Sequence, residues 1–280
     1  MEIKNPSGML QSEMERLLVE DLGPCDDSNE IVGEMEAEAV IIAKEECIIS
    51  GLREAEEIAV HLGLAAERLF DDGELVPGGS LVMTIKGKAA SLLRAERLML
   101  NFLGRMSGIS TLTRSCVLLA SGVRIACTRK TTPGFRRFEK RAVKLGGGDP
   151  HRHDLSGAVM IKDNHIKLMG LEAAIRTAKS LASFTKKIEV EVEGEDDALL
   201  AAKLGADIIM FDNMRPSEIR SGVALLEKMG LRGGLILEAS GGITPKNLVE
   251  YASSGVDVIS MGSLIKDARW IDLNMEIVGS

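Results

Sequence analysis

Several short clusters in this chain combine residue types that suit an anionic ligand. Thr128-Arg129-Lys130 places a planar guanidinium beside a mobile ammonium, a pair fitted to carboxylates or phosphates. His151-Arg152 and Lys162 add cationic donors, and Glu191 and Asp212 add hard carboxylate oxygens. In a cationic pocket such carboxylates either neutralise it structurally or bind what cations cannot, sugar hydroxyls and Mg2+, and the apolar run before each favours the second. Ser240-Gly241-Gly242 and Met261-Gly262-Ser263 are glycine turns, whose backbone N–H groups can cradle a phosphate. The combined demand is for carboxylates, a phosphate, ribose-like hydroxyls and Mg2+, which describes phosphoribosyl transfer to an acidic acceptor.

The charge distribution supports a small anionic ligand. With a formal net charge of −8, the chain places eleven of its 34 Lys and Arg between Arg124 and Lys167, against four carboxylates. His151, His153 and His165 fall in the same stretch, beside Gly146-Gly147-Gly148. The rest of the chain is acidic and aromatics are only 3% of residues, so nucleic acid is not expected as a partner: neither a basic surface nor stacking platforms are available. Cys25, Cys47, Cys116 and Cys127 form no CxxC pair and read as reduced thiols of a cytoplasmic protein. The opening Met1-Glu2-Ile3-Lys4-Asn5 is not expected to be a signal segment, and no apolar run reaches the ~18 residues of a membrane span.

These clusters need elements to position them, and the second half of the chain has the rhythm of βα units. Apolar runs at 123–127, 158–161, 187–192, 206–211, 234–237 and 256–260 alternate with helical spacing at 170–182, 195–204, 216–229 and 245–254. Gly205, Gly230 and Gly255 stand where left-handed helix caps are expected. Apart from His151-Arg152, each cluster above lies at or just after the end of one of the runs, and polar groups at the C-terminal ends of parallel strands mark the active face of an α/β barrel, with a phosphate site after the last two strands. Lys162 is expected to be oriented by Asp163 or Asn164, and His165 is either a structural hydrogen bonder or a catalyst. The first hundred residues predict a small α+β domain, with helices at 8–20 and 53–62, strands at 38–43 and 81–85, and a helix from Ala89 to about Arg105 leading into 107–120.

The chain also resembles a known family, the quinolinate phosphoribosyltransferases, decarboxylating nicotinate-nucleotide pyrophosphorylases of NAD biosynthesis. The likeness rests on Glu20-Asp21-Leu22-Gly23-Pro24, Ala95-Glu96-Arg97, Asn101-Phe102-Leu103, Arg105-Met106-Ser107-Gly108-Ile109, Thr128–Gly134, Gly146–Gly148 with His151-Arg152, Lys162–Ile166, Glu189–Glu193, Asp212-Asn213-Met214, Glu238–Ile243 and Gly255–Gly262. It implies an N-terminal α+β sandwich domain over residues 1–107, completed by 266–280, followed by an open α/β barrel of parallel strands over 108–265. It also implies a homodimer, or a higher assembly of dimers, with shared active sites. Arg129, His151, Arg152 and Lys162 would bind the two carboxylates of quinolinate, and Arg105 would reach the neighbouring subunit's site. Lys130 would contact phosphoribosyl pyrophosphate. Glu191 and Asp212 would hold ribose hydroxyls and Mg2+, directly or indirectly, and Ser240, Gly241, Gly242, Met261, Gly262 and Ser263 would take the 5′-phosphate. Lys130, Lys162, Glu191 and Asp212 are the catalytic set.

The pattern departs from the family's at Asp149-Pro150, where Asn commonly precedes the His, at Cys127, where Asp is common, and at Asp154, where Gly is common. A related group associated with molybdate-transport operons shares the Thr-Arg-Lys and His-Arg elements, but the intact Lys162–His165 favours the quinolinate group. The alternatives are a phosphoribosyltransferase for another aromatic acid, and a non-catalytic barrel that binds a phosphorylated metabolite. Two retained carboxylates argue against a phosphate sensor.

Overall fold

The structure is a computed structural model and describes residues 9, 11–23 and 29–279. The chain divides into two compact units, Met1–Thr111 with Ala268–Ser280, and Leu112–Asp267. These boundaries differ from the expected 107/108 and 265/266 by a few residues, and the first falls within a helix.

The first unit opens with α1 (Gln11–Leu22), β1 (Glu36–Ala43), β2 (Cys47–Ile48), α2 (Leu52–His61), β3 (Ala65–Arg68), β4 (Leu75–Val76), β5 (Leu81–Lys88) and most of α3 (Ala89–Leu119). In α2, Leu52, Ala55, Ile58 and Ala59 are buried, the i, i+3, i+4 spacing that puts apolar residues on one helix face. The expected break near Arg105 is absent, and α3 runs unbroken for 31 residues. Its glycines serve close approach rather than termination. A Cβ on Gly108 would lie 1.9 Å from the Arg269 carbonyl oxygen, and one on Gly104 3.0 Å from that of Ile271.

The second unit carries β6 (Arg124–Ala126), α4 (Arg136–Leu145), β7 (Val159–Ile161), α5 (Asp163–Met169), α6 (Leu171–Leu181), β8 (Ile188–Val192), α7 (Glu195–Lys203), β9 (Ile208–Asp212), α8 (Pro216–Lys228), β10 (Ile236–Ser240), α9 (Leu248–Ala252), β11 (Val258–Ser260) and α10 (Ser263–Lys266). The six strands form one sheet in the order β6-β11-β10-β9-β8-β7, every pair parallel. The end strands β6 and β7 do not pair, so the barrel is open. Beside β6 a single parallel bridge joins Ala126 to Asp149. Gly205, Gly230 and Gly255 take φ values of 79°, 69° and 92°, the left-handed stops expected after the helices. Unforeseen was α4, whose ten residues include buried Phe138, Glu139, Lys140, Ala142 and Val143.

The chain then returns to the first unit as β12 (Leu273–Gly279), completing an antiparallel sheet of order β12-β1-β5-β3. Ile41, at its centre, faces Met83 on one side and Met275 on the other. No helix among the described residues is long and apolar enough to cross a membrane.

Candidate active site

The barrel strands explain the site through their period of two. In β8, Ile188, Val190 and Val192 are buried apolar residues, and Glu189 and Glu191 alternate between them. Glu191 pairs in register with Met210 of β9, and Asp212 with Ser240 of β10. The result is a cavity of about 360 Å³ lined by Cys127, Thr128, Arg129, Lys130, His151, Arg152, Met160, Lys162, Glu191, Met210, Asp212, Ser240 and Ser260. Most of the expected site residues therefore meet around one space.

Electrostatically the cavity is short of anions. Among the described residues Arg129, Lys130 and Arg152 have no ion-pair partner, and Arg129 Nε and Ser260 Oγ are buried without a hydrogen-bond acceptor or donor. A buried donor left unpaired is costly, so an anionic ligand that satisfies it gains more than one meeting a solvated Arg. Lys162 is held differently from the expectation. Its ammonium bonds to Glu191, whereas Asp163 pairs with Lys167 at 2.7 Å. His165 Nδ1 accepts the Lys162 N–H at 3.0 Å, a structural bond that fixes the strand-to-helix junction and leaves Lys162 free to lean across the cavity.

Beneath the cavity floor lie two carboxylates that the sequence reading left out of the site, Glu189 at 0% and Glu238 at 2% exposure. His151 Nε2 lies 3.4 Å from Glu238 Oε2 and 3.8 Å from Glu189 Oε1. The Arg152 N–H donates to His151 Nδ1 at 2.7 Å, so the ring proton belongs on Nε2, facing the carboxylates. That geometry favours a shared proton over a cation among the three groups. Burial and the neighbouring Glu238 push the Glu189 carboxyl up to about 7, as expected for like charges sharing a dry site. The alternation in Ile188–Val192 was the signal that could have found Glu189.

The glycine turns come together only in part. Ser240 lines the cavity, and Gly241, at φ 93°, is required because a Cβ there would lie 2.3 Å from Asn213 Oδ1. At Gly262 a Cβ would be 3.5 Å from Lys130 Cδ, so this turn adjoins the Lys130 side chain. Met261 is buried and gives its N–H to the Ala126 carbonyl at 2.8 Å. Ser263 gives its hydroxyl to the Ile243 carbonyl at 2.9 Å. The Met261 amide and the Ser263 hydroxyl are thus already engaged. Arg105 belongs to the first unit, where its Nη1 donates to the Ala268 carbonyl at 3.2 Å.

Two family models cover nearly the whole chain: the N-terminal domain of quinolinate phosphoribosyl transferase matches residues 24–107 and its C-terminal domain residues 109–276. The chain belongs to the quinolinate phosphoribosyl transferase family. A family relative from Methanothermobacter thermautotrophicus, described as a probable nicotinate-nucleotide pyrophosphorylase (carboxylating), is 50% identical over 246 residues, covering 86% of this chain and 88% of the relative. The Homo sapiens nicotinate-nucleotide pyrophosphorylase (carboxylating) is 37% identical over 246 residues, covering 86% and 82%. Among solved structures, the nicotinate-nucleotide pyrophosphorylase from Francisella tularensis superposes with a TM-score of 0.89 at 35% identity, covering 96% of this chain and 98% of that one.

The departures from the family's sequence pattern are accommodated locally. Asp149 Oδ1 accepts the His151 N–H at 2.7 Å, and Cys127 Sγ donates to the Pro150 carbonyl at 3.2 Å. Asp154 closes its own turn by accepting from the Ser156 N–H at 2.7 Å. His151 and Arg152 still line the cavity.

Proposed function

We propose that the chain transfers a phosphoribosyl group from phosphoribosyl pyrophosphate to quinolinate with loss of CO2, forming nicotinate mononucleotide and pyrophosphate for NAD synthesis. The observation that carries this reading is the convergence of Arg129, Lys130, Arg152 and Lys162 with Glu191 and Asp212 on one cavity, in a chain with whole-length relatives of that name.

Arg129, Arg152 and Lys162 hold the acceptor's two carboxylates and aim its ring nitrogen at the anomeric carbon, while His151, whose two ring nitrogens are engaged by the Arg152 N–H and by Glu238, shapes the wall that carries Arg152. Displacement passes through an oxocarbenium-like transition state, and Lys130 stabilises the negative charge gathering on pyrophosphate as it departs. The cationic nitrogen of the pyridinium so formed stabilises the carbanion left on the adjacent ring carbon when its carboxylate departs as CO2, and that carbanion takes a proton from water. Glu191 and Asp212 orient ribose hydroxyls, and the Gly241, Gly242 and Gly262 turns receive the 5′-phosphate beside Ser240. Met261 and Ser263 contribute there through the shape of their turn.

Glu191 and Asp212 also offer two hard oxygen donors on adjacent strands, a set that fits Mg2+ completed by diphosphate oxygens and water. When bound there, Mg2+ supplies charge neutralisation to the diphosphate. The active form is a homodimer, or an assembly of dimers, in which Arg105 serves the neighbouring subunit's site, and its setting is the cytoplasm.

Calorimetric titration tests the acceptor assignment. Quinolinate should bind at least about tenfold more tightly than nicotinate, which lacks the second carboxylate and one charge-assisted contact. Equal affinities would remove the two-carboxylate site.

A further inference from the structure

Glu139 and Lys140, consecutive residues of α4, are both at 0% exposure, although burying an ionised side chain is unfavourable unless it is bonded. Neither lines the cavity. Successive helix positions diverge by about 100°, and these two reach different loops. Glu139 accepts from the Thr132 N–H at Oε2 and from the Thr132 hydroxyl at Oε1, each at 2.9 Å. Thr132 belongs to the loop that presents Arg129 and Lys130. Lys140 Nζ donates to the Pro150 carbonyl and lies 3.5 Å from Cys127 Sγ.

The Lys140 contact bears on the residue that follows Pro150. His151 has a φ of 52°, a conformation that a non-glycine residue keeps only where its surroundings over-determine it. The surroundings do so here. The Pro150–His151 peptide has its carbonyl held by Lys140 and Cys127 and its N–H held by Asp149. Its orientation sends the His151 ring toward Glu238 and leads directly into Arg152.

We propose that Glu139 and Lys140 are positioning residues of the anion site, Glu139 setting the loop that carries Arg129 and Lys130 and Lys140 setting the segment that carries His151 and Arg152. The substrates assigned to each loop rest on the transferase reading; the positioning itself does not. A purely structural role predicts something different. Lys140→Met removes a buried ammonium whose desolvation is unfavourable and leaves no charge unpaired, since its partners are neutral and the Pro150 carbonyl keeps the Cys127 donor, so this variant can separate fold stability from ligand placement.

The test uses the full chain with Lys140→Met and Glu139→Gln, comparing steady-state kinetics, melting temperature and amide hydrogen exchange. Lys140→Met should raise KM for quinolinate about tenfold, hold KM for phosphoribosyl pyrophosphate and kcat within about threefold, and speed exchange at the His151 amide without lowering Tm. Glu139→Gln should raise KM for both substrates and speed exchange at the Thr132 amide. Should Lys140→Met fail to fold, Cys127→Ala removes the other donor to the same carbonyl and should shift the His151 amide in the same direction. Equal changes in both KM values for Lys140→Met, activity loss that merely follows Tm, or an unaltered His151 amide would overturn the proposal. If the unsubstituted chain shows no turnover, the transferase reading fails, and the exchange contrast still decides the positioning.

Discussion

At Arg129 the buried Nε without a protein acceptor gives the sharpest residue-level expectation. Arg129→Ala should weaken acceptor binding by about 1.5–3 kcal/mol, the range of a charge-assisted hydrogen bond, and donor binding far less; calorimetry with each substrate measures both. Comparable loss for the two ligands would place Arg129 elsewhere in the reaction. The cysteines give a pH expectation. Burial pushes the Cys47 and Cys116 thiols up to about 11, against a usual value of about 8.5. The folded state therefore holds these protons more tightly than the unfolded one, and their contribution to stability is fully present below about pH 8.5 and falls as pH rises from there toward about 11. Native protein at pH 8 should resist alkylation at both thiols, and a melting series from pH 8 to 11 should show the decline. Rapid labelling of folded protein at pH 8 would contradict this. Cys25 lies outside the described residues.

The elements were legible where periodicity carried them and obscure where close contacts decided. All six barrel strands were anticipated to within a few residues, because each is an apolar run closed by a polar residue at its C-terminal end. The same signal gathered Lys130, Lys162, Glu191 and Asp212 at one mouth. By contrast α4 was hidden by its composition. Its cations were read with the ligand donors, yet Lys140 is buried, Arg136 bonds to Thr131 at 3.0 Å, and Arg137 stacks over Phe138 at 4.4 Å. The Lys162–Glu191 pair was also invisible, since nothing in two separate runs fixes which side chains lean together. The helix expected to end near Arg105 runs on through α3, whose Gly104 and Gly108 lie in close contact with the 269–271 backbone. Gly108→Ala should accordingly cost about 1–3 kcal/mol by overpacking, seen as a drop in Tm of several degrees by calorimetry. An unchanged Tm would mean that this backbone contact is dispensable.

At the scale of the whole molecule, the question is how Arg105, outside the cavity lining, enters the chemistry. If it serves the partner subunit's site, Arg105→Ala and Lys162→Ala chains should each be nearly inactive, yet random mixing should restore about a quarter of full activity, since half the dimers are hybrids with one intact site each. Failure to recover activity on mixing, with hybrid dimers shown to form, would confine Arg105 to its own subunit. Most direct of all is a turnover assay with the purified chain, Mg2+, phosphoribosyl pyrophosphate and quinolinate labelled at the 2-carboxylate, following nicotinate mononucleotide and released CO2 together. Equal amounts of both products are predicted. No mononucleotide from quinolinate, with pyrophosphate released only when another aromatic acid is supplied, would contradict the assignment of the acceptor.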